Sequence, residues 1–209
     1  MDKSKVNFSK PMLIQSVAFK DVFLRMDGKG ISTACGAGAG KVNCQRSMAP
    51  TGAFKVQKQT DGTFTIESSK YPGIFLRMDG NGIHAFAGSG SGRVNCQFGA
   101  SAWERFKLHE QSDGSYTIES AAFPNVFLRM DGNNPSRKEE DFGTVNCQYG
   151  AGAYEKFYLQ NMPEIKNVKE SSAFDINYFT MGFEGFLNGA ADADDGSNCD
   201  ACFIRTVKY

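Results

Sequence analysis

Apolar and polar residues alternate along this chain in short bursts. In Phe64-Thr65-Ile66-Glu67 and Tyr116-Thr117-Ile118-Glu119 every second side chain is apolar, which is the period of a strand with one buried face. In Val22-Phe23-Leu24-Arg25-Met26-Asp27 the same rule puts Val22, Leu24 and Met26 on one face and turns Arg25 and Asp27 to the other. Turn signals separate the bursts, among them Thr60-Asp61-Gly62, Ser112-Asp113-Gly114 and the Asp-Gly that closes each such segment. No burst sustains a helical period for the roughly ten residues a helix needs, so the pattern predicts an all-β chain.

The bursts recur. VFLRMDG at Val22–Gly28 returns as IFLRMDG at Ile74–Gly80 and as VFLRMDG at Val126–Gly132, a period of 52 residues both times. Ile14, Ile66 and Ile118 keep that register, as do Cys44, Cys96 and Cys147 in three copies of VNCQ, and Phe54, Phe106 and Phe157. Three copies of four apolar segments make twelve strands. That arrangement is the signature of a β-trefoil, in which six strands close a barrel and three hairpins cap one end. A β-propeller also has four strands per unit, but needs about four or more units to close. The expected organisation is a β-trefoil over residues 1–161, with units at about 12–61, 62–113 and 114–161, followed by a C-terminal extension over 162–209. That extension is expected to pack on the barrel or to mediate a homodimer.

The unit pattern FLRMDG, VNCQ, EKF and DGSYTIES resembles the fascin-like subgroup of the β-trefoil superfamily over Met12 to about Gln160. The resemblance implies the trefoil fold and a choice of functions: sugar binding, F-actin binding and cross-linking, or, more distantly, a protease inhibitor or toxin-associated module. The Gln-x-Trp triplets of ricin-type trefoil lectins are missing, so the sugar-site residues of that group do not carry over. There is one trefoil where fascins have four, and only His84 and His109 where single-trefoil actin binders are rich in histidine.

Charge changes the picture little. With 23 basic against 23 acidic residues the chain has no net charge, which disfavours nucleic acid as a partner. The extension carries eight acids against four bases, leaving the repeats mildly basic. No apolar run approaches a membrane span and no secretory h-region opens the sequence. The expected location is therefore cytoplasmic, with reduced, buried cysteines, although secretion by a route without a signal peptide stays open.

Candidate chemistry is sparse. Gly36-Ala37-Gly38-Ala39-Gly40-Lys41 lacks the glycine spacing and the following Ser or Thr of a phosphate loop, and reads as a loop leading into a VNCQ strand. Neither histidine has triad or metal partners at a suitable spacing. In the extension, Asp192 to Cys202 mixes acids with Cys199 and Cys202, but as an EF-hand its glycine is misplaced and no bidentate Glu follows. No catalytic residue, metal or cofactor is expected.

The richest segment follows VNCQ. The second copy holds Phe98, Trp103 and Glu104 around a loop of small residues, and the third holds Tyr149, Tyr154 and Glu155; the first copy has lost both aromatics and the acid. Aromatic faces that stack on sugar C–H groups, beside carboxylates and the amides of Asn95 and Asn146 that take hydroxyls, would make repeated shallow carbohydrate sites for glycans or glycoproteins. Alternatively the aromatic plugs the barrel end and the acid caps the loop. Arg25, Arg77 and Arg129 are expected to pair across the strands with Gln15, Glu67 and Glu119.

Overall fold

A computed structural model describes residues 6–46, 50–133 and 143–162. Twelve strands are present among them: β1 Met12–Ser16, β2 Phe23–Asp27, β3 Lys41–Gln45, β4 Phe54–Lys58, β5 Phe64–Ser68, β6 Ile74–Asp79, β7 Gly92–Phe98, β8 Phe106–Glu110, β9 Tyr116–Ser120, β10 Val126–Asp131, β11 Thr144–Tyr149 and β12 Lys156–Asn161. Three one-turn 3-10 segments, Pro50–Gly52, Ala102–Glu104 and Ala153–Glu155, are the only helical elements among the described residues. None of them approaches the length of a membrane-crossing helix. The extension beyond Met162, with Cys199 and Cys202, lies outside the described residues.

Pairing closes a ring of six strands: β1 to β4, β4 to β5, β5 to β8, β8 to β9, β9 to β12, and β12 back to β1 through Met12↔Asn161 and its neighbours. The other six strands form three hairpins, β2–β3, β6–β7 and β10–β11. The turns between β4 and β5 and between β8 and β9 follow from their Asp-Gly pairs. Gly62 and Gly114 take φ of 83° and 82°, a region that costs a glycine nothing. The preceding Asp61 and Asp113 accept the backbone N–H and hydroxyl of the residue two further on.

The alternation read from the sequence sets what is inside. Leu24, Met26, Leu76, Met78, Leu128 and Met130 are fully buried, and with Ile14, Ile66, Ile118, Phe54, Phe106 and Phe157 they form one core. Burying each such side chain contributes about 1.5–3 kcal/mol.

The hairpins are locked together by a cyclic contact. Cys96 meets Gly40, Cys147 meets Gly92 and Cys44 meets Gly143, each pair in backbone register. The thiols donate to the carbonyls of Asp27, Asp79 and Asp131 at 3.5 Å. A Cβ on Gly40 or Gly92 would stand 2.1 or 2.2 Å from the facing sulfur, so only glycine lets the strands approach. These cysteines are free and wholly buried, and burial pushes their thiols up to about 12. Iodoacetamide at pH 8 is therefore expected to spare Cys44, Cys96 and Cys147 in the folded protein, while the partly exposed Cys35 is labelled before those three. Peptide mapping checks this, and early labelling at Cys96 would contradict the packing.

Candidate functional site

Of the residues singled out after VNCQ, Trp103, Glu104, Tyr154 and Glu155 gather around two arginines. Arg77 and Arg129 leave β6 and β10 on the face turned away from the core, yet only 2% and 4% of their surface is exposed. Trp103 covers Arg77, with the guanidinium carbon 4.3 Å from the ring centroid, and Tyr154 covers Arg129 at 4.9 Å. Each ring also meets an aromatic of another unit edge-on: Trp103 with Phe123 at 5.3 Å and Tyr154 with Phe19 at 4.7 Å. Both rings are half-buried.

The acids lie underneath. Glu104 and Glu155 are 0% and 1% exposed. Glu104 accepts Gln97 Nε2–H at 2.7 Å and the Ser101 N–H and hydroxyl at 2.7 and 2.8 Å, and stands 3.7 Å from Arg77 Nε. Glu155 repeats this with Gln148, the Gly152 N–H and Arg129. Burial raises the Glu155 carboxyl above its ordinary value and lowers the Arg77 guanidinium. These carboxylates fix the 3-10 turn that carries the aromatic, so the expectation that they take ligand hydroxyls is corrected: their oxygens are spent and sealed.

Asn95 is corrected in the same way. It is 4% exposed, and its Nδ2 donates to the carbonyls of Ala37 and Gly38 at 2.7 and 3.3 Å. The half-buried Asn146 donates to Ser89 at 2.8 Å. The glycine-rich loop of one unit is thus pinned on the next, and Arg77 Nη2 joins it by donating to Gly36 at 2.8 Å. Gly90, at φ 75°, could carry no side chain there, because a Cβ would fall 2.3 Å from Asn146 Oδ1.

Phe98 and Tyr149 belong elsewhere in each unit. Phe98 is 40% exposed and lies beside Gly73, while Tyr149 is half-buried opposite Val126. Trp103 and Tyr154 are therefore brought to the buried arginines, and Phe98 and Tyr149 to the hairpin ends.

The arginines do not pair as expected either. Glu67 and Glu119 face Phe75 and Phe127 across the strands, and Gln15 faces Phe23. Arg25, Arg77 and Arg129 instead sit opposite Asn43, Asn95 and Asn146 and pair with Asp27, Asp79 and Asp131, two residues on along the same strand. Glu67 and Glu119 accept the Gly73 and Asn125 N–H groups, and Glu119 also contacts His109 Nε2 at 2.6 Å. In the first unit Thr51 and Gly52 occupy the aromatic and acid positions. Arg25 there bonds Asp27 at 2.9 Å, and Tyr71 reaches the same carboxylate.

Sequence reasoning missed the role of the arginines. The signal was present, since the aromatic and the acid are lost together in the first unit, whose Arg25 is more exposed than Arg77 and Arg129.

No protein-family model matches the chain, and no curated protein matches it in sequence. Solved structures do match in shape. A mosquitocidal holotoxin aligns at TM-score 0.56 and 9% identity over 73% of this chain, which spans 17% of the toxin. The designed threefold-symmetric protein ThreeFoil aligns at 0.51 and 15%, covering 73% of this chain and 99% of its own. A lectin of Polyporus squamosus, solved with Neu5Acα2-6Galβ1-4GlcNAc, aligns at 0.51 and 13%, covering 73% and 49%. At such identities the likeness is one of fold, and the neighbours are β-trefoil proteins.

Proposed function

We propose that this chain is a non-enzymatic carbohydrate-binding β-trefoil of three repeated units, with shallow sites on the aromatic surfaces of the second and third units. The observation that carries this reading is the support given to Trp103 and Tyr154. Each ring lies over a buried guanidinium that is itself paired with a sealed carboxylate, yet keeps part of its surface in solvent. A pre-set aromatic face loses little freedom on stacking against a sugar, so the entropic cost of binding is small. With the carboxylates spent, hydroxyl recognition falls to other groups, such as Asn133, whose amide lies 3.5 Å from the Tyr154 phenol. Individually weak sites gain from repetition on one molecule, and the lectin and toxin among the structural neighbours fit such a role.

A glycan array that includes Neu5Acα2-6Galβ1-4GlcNAc tests the reading. Binding to a defined set of glycans, reduced about tenfold in Trp103→Ala or Tyr154→Ala, is the expected result. An array at background, with cosedimentation on F-actin in its place, would replace this reading with the cytoskeletal one.

A further inference from the structure

Phe86, 64% exposed, is the most exposed large apolar side chain among the described residues. Its loop is not loose. Ser91 N–H donates to the Cys147 carbonyl at 3.2 Å, Asn146 holds the Ser89 carbonyl at 2.8 Å, and Gly90 is seated on Asn146. The loop of the second unit is therefore fixed at Ser89, Gly90 and Ser91 to Asn146 and Cys147 of the third. The ring stands beside the backbone of Gly88 and Gly150: a Cβ on either would come within 3.9 or 4.0 Å of it. Gly150 is itself held by donating its N–H to Asn125 at 2.8 Å. The equivalent position of the first unit is Ala34, so threefold packing does not require an aromatic here.

We propose that Phe86 is a saccharide-stacking residue, and that the second-unit loop 84–91 and Gly150 of the third unit form a subsite across the unit boundary. This rests on the carbohydrate-binding reading above and adds a contact outside the arginine-backed aromatics. The size of the feature selects the occupant. One phenyl ring offers on the order of 100 Å² of apolar surface, whereas a stable protein partner covers about 800 Å² on each side. The exposed residues around it on the loop are the polar His84, Ser89 and Ser91 and the small Ala85, Ala87 and Gly88, so no second large apolar side chain extends the patch along the loop. A single ring with an imidazole and hydroxyls nearby fits one pyranose, whose C–H face takes the ring and whose hydroxyls take the polar groups.

The test uses the full chain on a glycan array, followed by titration with the free form of the oligosaccharide giving the strongest wild-type signal. Phe86→Ala is expected to melt with the wild type, since the ring is outside the core, and to bind that oligosaccharide about fivefold to tenfold more weakly. Phe86→Trp is expected to retain binding and to show a sugar-dependent emission change beyond that of Trp103. Wild-type binding with an unchanged Phe86→Ala affinity and a silent Phe86→Trp would overturn the Phe86 subsite and leave the carbohydrate reading standing. An array with no wild-type binding at all overturns both.

Discussion

Arg77→Met should lower the free energy of unfolding by about 3–5 kcal/mol, because it leaves the Glu104 carboxylate buried without its counter-charge. Glu104 is fully enclosed and its remaining partners are the neutral Gln97 and Ser101. The substitution also removes the platform beneath Trp103. The double variant Arg77→Met with Glu104→Gln removes both charges, and should recover at least about 1.5 kcal/mol of that loss through the coupling expected between contacting residues. Arg25→Met makes the comparison within one molecule. In the first unit Gly52 stands at the place of Glu104, and 16% of the Arg25 side chain is exposed against 2% for Arg77, so its loss should be less than half that of Arg77. Urea midpoints at constant m-value measure all three. An Arg77→Met loss under about 1 kcal/mol would show that the buried pair is not the support argued for here.

Gly92→Ala is the second large effect. The added methyl would lie 2.2 Å from Cys147 Sγ, 2.4 Å from Ile83 Cδ1 and 2.9 Å from the Asp79 carbonyl. Sulfur and methyl can move somewhat, but the carbonyl belongs to the β6 ladder, so a loss of about 3 kcal/mol is expected, at the upper end of overpacking costs. Cys147→Ala in the same chain should return part of it, leaving the share due to Asp79. Gly36→Ala is the matched control: nothing lies within 4 Å of the added carbon, and the change should fall within about 0.5 kcal/mol. Equal losses at the two glycines would contradict the close approach of the hairpins.

Much of the architecture was legible because each strand carries its own pattern. Leu24 and Met26, and their counterparts in the other units, alternate with polar residues and are buried as that alternation requires. The second face of the same strands was not legible. Arg77 reads as an outward residue from its local period, and is buried because a loop from the preceding unit, at Gly36, comes down on it. Alternation along a strand describes its own two faces but cannot report a cover supplied from elsewhere in the chain. The candidate site was legible in part for the same reason. Aromatics and acids were identified together, but a sequence cannot tell a carboxylate aimed at solvent from one turned under its own 3-10 segment. What distinguishes them is the trio Gln97, Ser101 and Arg77: the first two come from the few residues before Glu104, and the third is brought to it from β6.

The cyclic Gly–Cys contacts also bear on how the chain reaches its fold. Cys96–Gly40 and Cys147–Gly92 can form as each unit follows the last, but Cys44 needs Gly143, and β1 needs β12. The first unit therefore lacks these contacts until the third exists, although its own hairpin can pair locally. Contacts this distant in sequence carry a large loop-closure cost before they are rewarded, which makes acquisition of the native state slow and cooperative, with no stable stopping point after one unit or two.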